Sequence, residues 1–219
     1  MVAQIWVNCA ARSTRPVRDV SRTMTASSPS STSTKAEVVS SESEALILVN
    51  PSDEVTGYLD KAAAHDGEGV LHRAFSLFIF NPEGKLLLQQ RAPGKRLWPE
   101  FWSNSCCSHP RQGERMDEAV HRRLQQELGM AAALNFAYKF EYSAPFGDLG
   151  TEHELCWVCI GQTDSQPVIN TTEIMDWRWI DPGELTSAIA AEPERYTPWL
   201  KMEWERLNAE FSRRLPQAS

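Results

Sequence analysis

The sequence predicts an α+β or α/β sandwich, a mixed β-sheet with flanking helices, because segments of strand period and helix period alternate along it. Two observations carry this. Short apolar runs are separated by turn residues, and three segments repeat their apolar residues every three or four positions. At 219 residues the chain accommodates one substantial domain plus a tail.

Order is expected to begin at Ala45-Leu46-Ile47-Leu48-Val49-Asn50, a strand closed by the turn formers Pro51-Ser52-Asp53. Residues 74–80 and 85–90 form a hairpin around Asn81-Pro82-Glu83-Gly84, where Asn, Pro and Gly each supply a turn geometry. Residues 101–107 lead into a loop carrying Cys and His. A helix is predicted over 114–128, since Met116, Val120, Leu124 and Leu128 recur at helical spacing and Gly129 stops it. Strands follow at 136–143, 153–162 and 177–180. Asp181-Pro182 opens a helix by N-cap and first-turn preference. A last amphipathic helix carries Trp199, Met202, Trp204 and Leu207. No internal repeat is found.

Residues 1–43 read as a low-complexity extension and 213–219 as a tail, leaving 44–212 as the domain. In the extension Arg12, Arg15, Arg18, Arg22 and Lys35 face few acids, and Ser and Thr dominate. Such a composition buries too little apolar surface to fold. It also matches organelle transit peptides; an upstream start ahead of Met24, or a plain disordered extension, fits it as well. The expected location is cytoplasmic, or organellar if residues 1–40 act as a transit segment.

A formal charge of −7 disfavours a general nucleic-acid or membrane-surface role. An anionic ligand therefore needs a local basic cluster or metal ions. Five cysteines, an odd number, do not suggest a disulfide framework and point to a reducing compartment. No run approaches the roughly 20 apolar residues of a membrane span, so a soluble protein is expected.

Chemistry concentrates in Asn104-Ser105-Cys106-Cys107-Ser108-His109-Pro110 and in Glu152-His153-Glu154. A thiol, an imidazole and alternating glutamates are the makings of a metal-assisted acid/base site, and His65 and His72 extend the ligand set. On a strand Glu152, Glu154, Cys156 and Val158 share one face, while His153 faces away. Cys106 is expected to pack. Cys156-x-x-Cys159 has redox spacing, but positions i and i+3 of a strand face opposite sides, which favours packing. On the 114–128 helix, Glu127 falls inside the apolar stripe with Arg123 one turn before it. An inward carboxylate needs a partner. Either the pair Arg123–Glu127 satisfies it, or Glu127 binds a cation.

The helix resembles a Nudix box, with Arg122-Arg123-Leu124-Gln125-Gln126-Glu127-Leu128-Gly129 at its end. Arg123 and Gln126 stand where that motif carries metal-gathering glutamates, so the resemblance implies the fold and puts diphosphate hydrolysis in doubt. With Leu71-His72-Arg73-Ala74-Phe75-Ser76, Gln90-Arg91-Ala92, Trp98-Pro99 and Glu152-His153-Glu154-Leu155-Cys156 in order, the chain resembles the type 1 isopentenyl-diphosphate isomerases of the Nudix superfamily.

The resemblance implies a Nudix-like α/β/α sandwich and interconversion of isopentenyl and dimethylallyl diphosphate in isoprenoid biosynthesis, without a redox cofactor. It implies Cys107 and Glu154 as the acid/base pair, with Tyr142 beside them. His65, His72, His109, Glu152 and Glu154 would hold a first divalent metal, Mn²⁺, Zn²⁺ or Mg²⁺. Glu127 and the Cys107 backbone carbonyl would hold the Mg²⁺ that meets the diphosphate. Lys61, Arg91, Lys95, Ser108 and Arg123 would contact phosphate, and Trp199 would cover the hydrocarbon tail. Partners are then small isoprenoid diphosphates, with no nucleic acid or membrane, and the protein is a monomer or weak homodimer. The alternatives are a Nudix diphosphohydrolase and a catalytically silent metal-binding module.

Overall fold

A computed structural model describes residues 37–211. The expected tail at 213–219 and all but residues 37–43 of the extension lie outside these. Residues 37–43 lie against the domain: Val39 is buried, and Asn170 and Thr172 donate to the Glu37 carbonyl.

The chain runs β1 (Ala45–Val49), β2 (Val55–Asp60), α1 (Lys61–Ala64), β3 (His72–Phe80), β4 (Leu86–Arg91), β5 (Trp102–Ser103), β6 (Cys106–Ser108) and α2 (Met116–Leu128). There follow β7 (Ala133–Pro145), β8 (Thr151–Gln162), β9 (Ile174–Ile180), α3 (Pro182–Ala191) and α4 (Pro198–Phe211). The hairpin, α2, β8 and the Asp181 cap form where sequence places them. Asp181 accepts from the Gly183 and Glu184 amides, and Gly129 ends α2 at φ 62, a left-handed position suited to glycine.

β3 organises the sheet. β8 runs parallel along its whole length, from His72↔Glu154 to Phe80↔Gln162. β1, β6 and β4 pair with it in turn, antiparallel, at His72, at Phe75–Leu77 and at Phe80. β8 takes one full edge, so these three share the other.

The alternation of β3 divides two apolar layers. Phe75, Leu77 and Ile79 pack with Cys106 and with Val120, Leu124 and Leu128 of α2. Phe78 and Phe80 pack on the opposite face with Leu185 of α3 and Leu200, Trp204 and Leu207 of α4. The sandwich is α/β/α. Even-numbered residues of β3 and β8 therefore face α4, and His72, Ser76, Glu152, Glu154 and Cys156 all lie on that side.

Several boundaries differ from expectation. β2 and α1 have no predicted counterpart: β2 buries little because it is the sheet's edge strand. β7 and β9 each begin three residues earlier than predicted, continuing ladders with β8 and β4. Within the Cys/His segment, 106–108 is a strand rather than loop. Met202 is not part of the inward stripe of α4. It is 38 % exposed, and Glu203 occupies the buried position.

Candidate active site

The register of β3 with its two neighbours assembles the site. Ser76↔Cys107 across β6 and His72↔Glu154 across β8 bring a thiol and a carboxylate to one face from opposite edges of β3. Cys106 turns to the α2 layer, as expected. Cys156 and Cys159 lie on opposite faces of the sheet, and all four described cysteines are free thiols. A cavity of about 360 Å³ is lined by Cys107, Ser108, Tyr142 and Trp199 together with the cations Lys61, Arg91, Lys95 and Arg123.

His65, His72, His109, Glu152 and Glu154 each present a nitrogen or oxygen into a common space, all within 4.8 Å of one another. His65 comes from the residue after α1. It is reached by the turn between β7 and β8, where Gly150 at φ 144 approaches so closely that a Cβ would sit 2.3 Å from the His65 carbonyl oxygen. The Nδ1 atoms of His65 and His72 bond the Lys61 and Val70 carbonyls, each at 2.7 Å. A carbonyl only accepts, so both rings carry their proton on Nδ1 and turn an Nε2 lone pair inward. His72 Nε2 then faces His109 Nε2 at 3.1 Å. His65 Nε2 and Glu152 Oε2 lie 2.7 Å apart, yet neither has a hydrogen bond of good geometry. Converging lone pairs and orphaned buried atoms fit a divalent cation, and the imidazole/carboxylate donor set suits several. His153 is outside this cluster, against Glu141 and Gly69, and His121 is exposed.

Glu154 also accepts from His109 at 2.9 Å and from the Tyr142 hydroxyl at 2.7 Å. Burial would raise its carboxyl, but the His109 hydrogen bond outweighs that and holds it well below the usual range. Burial lowers His109 to about 4, so its imidazole is neutral. Burial, reinforced by the nearby Glu154 carboxylate, pushes the Cys107 thiol up, leaving it protonated. That thiol donates to Asn104 Oδ1 at 2.7 Å and lies 3.4 Å from Ser76 Oγ.

The cations are tethered. Arg91 donates to the Trp98 and Leu97 carbonyls and lies over the Trp199 ring at 5.2 Å. Those carbonyls belong to a strained turn, with Trp98 at φ 46 and Glu100 at φ 65. Lys95 is paired with Glu173, and Lys61 donates to Ser40 at 2.8 Å. Arg123 bonds Glu127 at 2.6 Å, the Val39 carbonyl at 2.7 Å and Glu173 at 3.3 Å. The inward Glu127 carboxylate is satisfied by this ion pair. Glu127 lies outside the five-residue cluster.

Four residues had no prior assignment: Ser76, Asn104, Glu173 and Glu203. Glu203 carries a usable signal, since it follows Trp199 and precedes Leu207 at four-residue spacing. Glu173 sits in a connection without periodicity.

Residues 70–200 match the NUDIX domain family. The chain is 44 % identical over 155 residues to isopentenyl-diphosphate Delta-isomerase 2 of Aromatoleum aromaticum, covering 71 % of this chain and 82 % of that protein. It is 42 % identical over 163 residues to isopentenyl-diphosphate Delta-isomerase 1 of Photorhabdus laumondii, covering 74 % and 93 %. The chain belongs to the isopentenyl-diphosphate Delta-isomerase family. Among solved structures, DR0079 from Deinococcus radiodurans superposes with a TM-score of 0.62 at 29 % identity, covering 74 % of this isomerase-family chain and 98 % of that one. No helix among the described residues is long and apolar enough to cross a membrane.

Proposed function

We propose that the protein interconverts isopentenyl diphosphate and dimethylallyl diphosphate, with Cys107 and Glu154 as the proton-transfer pair. The observation that carries this is their arrangement: both line one cavity, from strands on opposite edges of β3. Moving a double bond requires a proton delivered to one carbon and another withdrawn from its neighbour. A flat alkene between a protonated thiol and a carboxylate meets both requirements.

His65, His72, His109, Glu152 and Glu154 would hold a divalent metal, Mn²⁺, Zn²⁺ or Mg²⁺. When bound, it fixes the carboxylates and tunes the acidity of Glu154. Tyr142 keeps Glu154 oriented toward the cavity. Trp199, its Nε1 bonded to Ser103 at 3.0 Å, offers a ring face to the cationic centre that protonation creates, worth about 1–2 kcal/mol. Arg91, Lys95, Lys61 and Arg123, with Ser108, form the diphosphate end. Glu127 and the Cys107 carbonyl would hold a diphosphate-bound Mg²⁺. Hydrolysis is disfavoured because Arg123 and Gln126 replace carboxylates, and Gln126 is engaged by Arg122.

Incubation with isopentenyl diphosphate and Mg²⁺, followed by chromatography of the products, tests the activity. Dimethylallyl diphosphate is the expected product, and inorganic phosphate in its place would overturn the proposal.

A further inference from the structure

Glu203 is a fully buried carboxyl on the α4 face of the sheet, and no step above uses it. Among the described residues no Lys, Arg or His forms an ion pair with it. The groups facing it are Ser76 of β3, Tyr138 of β7, and Cys156 and Glu154 of β8. None is cationic. An isolated carboxylate in such a place is costly, so the group is held as the neutral acid. Burial raises it to about 8.

A neutral carboxyl is a donor as well as an acceptor, and this sets the direction of a buried chain. Glu203 Oε1 lies 3.5 Å from Cys156 Sγ, while Oε2 has no hydrogen-bond partner. Cys156 Sγ lies 3.4 Å from Ser76 Oγ, and Ser76 Oγ lies 3.4 Å from Cys107 Sγ. At the far end the Cys107 thiol proton is taken by Asn104 Oδ1, whose amide donates to the Leu77 and Cys106 carbonyls. With its proton, Glu203 donates to the Cys156 sulfur, the Cys156 thiol donates to the Ser76 oxygen, and the Ser76 hydrogen turns to the Cys107 sulfur. Without it, Cys156 would donate to the carboxylate instead and Ser76 to the Cys156 sulfur, and the Cys107 sulfur would lose its donor.

We propose that Glu203 is a positioning residue for the isomerisation, acting through Cys156 and Ser76 to orient the Cys107 thiol. It touches no substrate, and the inference rests on Cys107 having the role given above.

The test compares kcat and KM for isopentenyl diphosphate in the full-length wild type, Glu203→Gln, Glu203→Met, Ser76→Ala and the Glu203→Met/Ser76→Ala double variant, each first shown to be folded by its melting transition. Glutamine keeps a donor at the same place and should retain kcat within about threefold. Loss of one hydrogen bond should lower kcat about tenfold in Glu203→Met and in Ser76→Ala, with KM nearly unchanged. The double variant should lose no more than either single one, because both break one chain. Wild-type kcat in folded Glu203→Met or Ser76→Ala, or losses that multiply in the double variant, would overturn the inference. If Glu203→Met does not fold, Ser76→Ala against Glu203→Gln decides the question. Absence of turnover in wild type would instead count against the proposed function.

Discussion

Tyr142 and Glu154 are directly opposed across the β7–β8 ladder, and the tyrosine hydroxyl donates to Glu154 Oε2 at 2.7 Å. The bond is buried and its acceptor is ionised, so it belongs to the stronger class. Tyr142→Phe should lower kcat about 10- to 100-fold while leaving the melting temperature within a few degrees, since the ring and its stacking on Phe140 are kept. Steady-state kinetics beside a thermal melt checks this; unchanged kcat would show that Glu154 needs no such tether.

The five-residue cluster should make stability depend on metal. Divalent cation added to chelator-stripped protein should stabilise it by about 2.7 kcal/mol at a hundredfold excess over Kd. His72→Ala should weaken binding at least about 10–100-fold, as even outer partners of metal ligands do. Calorimetric titration with Zn²⁺ and Mn²⁺ measures both, and equal affinity in wild type and variant would place the metal elsewhere.

Arg123 neutralises two buried carboxylates, Glu127 and Glu173. Arg123→Met leaves both without that charge and should cost about 3–5 kcal/mol in urea unfolding. A loss below about 1 kcal/mol would mean that Lys95 alone suffices for the pair.

Glu203 gives the pH dependence. Its carboxyl stands at about 8 when folded against 4.5 unfolded. Between these values the folded state binds the extra proton, so stability is complete below 4.5 and declines as pH rises to 8, by at most about 1.4 kcal/mol per pH unit. Glu203→Gln removes this slope. Melting temperatures at pH 5, 6, 7 and 8 should diverge between the two proteins, the variant gaining relative to wild type, whereas parallel curves would mean that Glu203 is already ionised at pH 5.

Much of the fold was legible because its signals are periodic. The 2-residue alternation of β8 put Glu152 and Glu154 on one face and His153 on the other, and the stripe of α2 exposed Glu127 as inward. The turn at Asn81–Gly84 and the Asp181 cap depend on local chemistry and formed as expected. β2 was not legible, since an edge strand buries little and needs no apolar pattern. In α4 the apolar residues Trp199, Trp204 and Leu207 drew attention to Met202, yet the Glu203 carboxyl takes the inward place. Hydrophobicity cannot register a buried acid whose partners, Ser76 and Cys156, come from strands far away in sequence. The pairing of Lys95 with Glu173 was hidden for the same reason.

The most direct measurement follows isopentenyl diphosphate with Mg²⁺ in deuterated water by NMR, for wild type, Cys107→Ala and Glu154→Gln. Wild type should give deuterium-labelled dimethylallyl diphosphate without phosphate release, with turnover lower by about 10²–10⁴-fold in each variant. Label appearing at the wild-type rate in either variant would contradict the assignment of Cys107 and Glu154 as the proton-transfer pair.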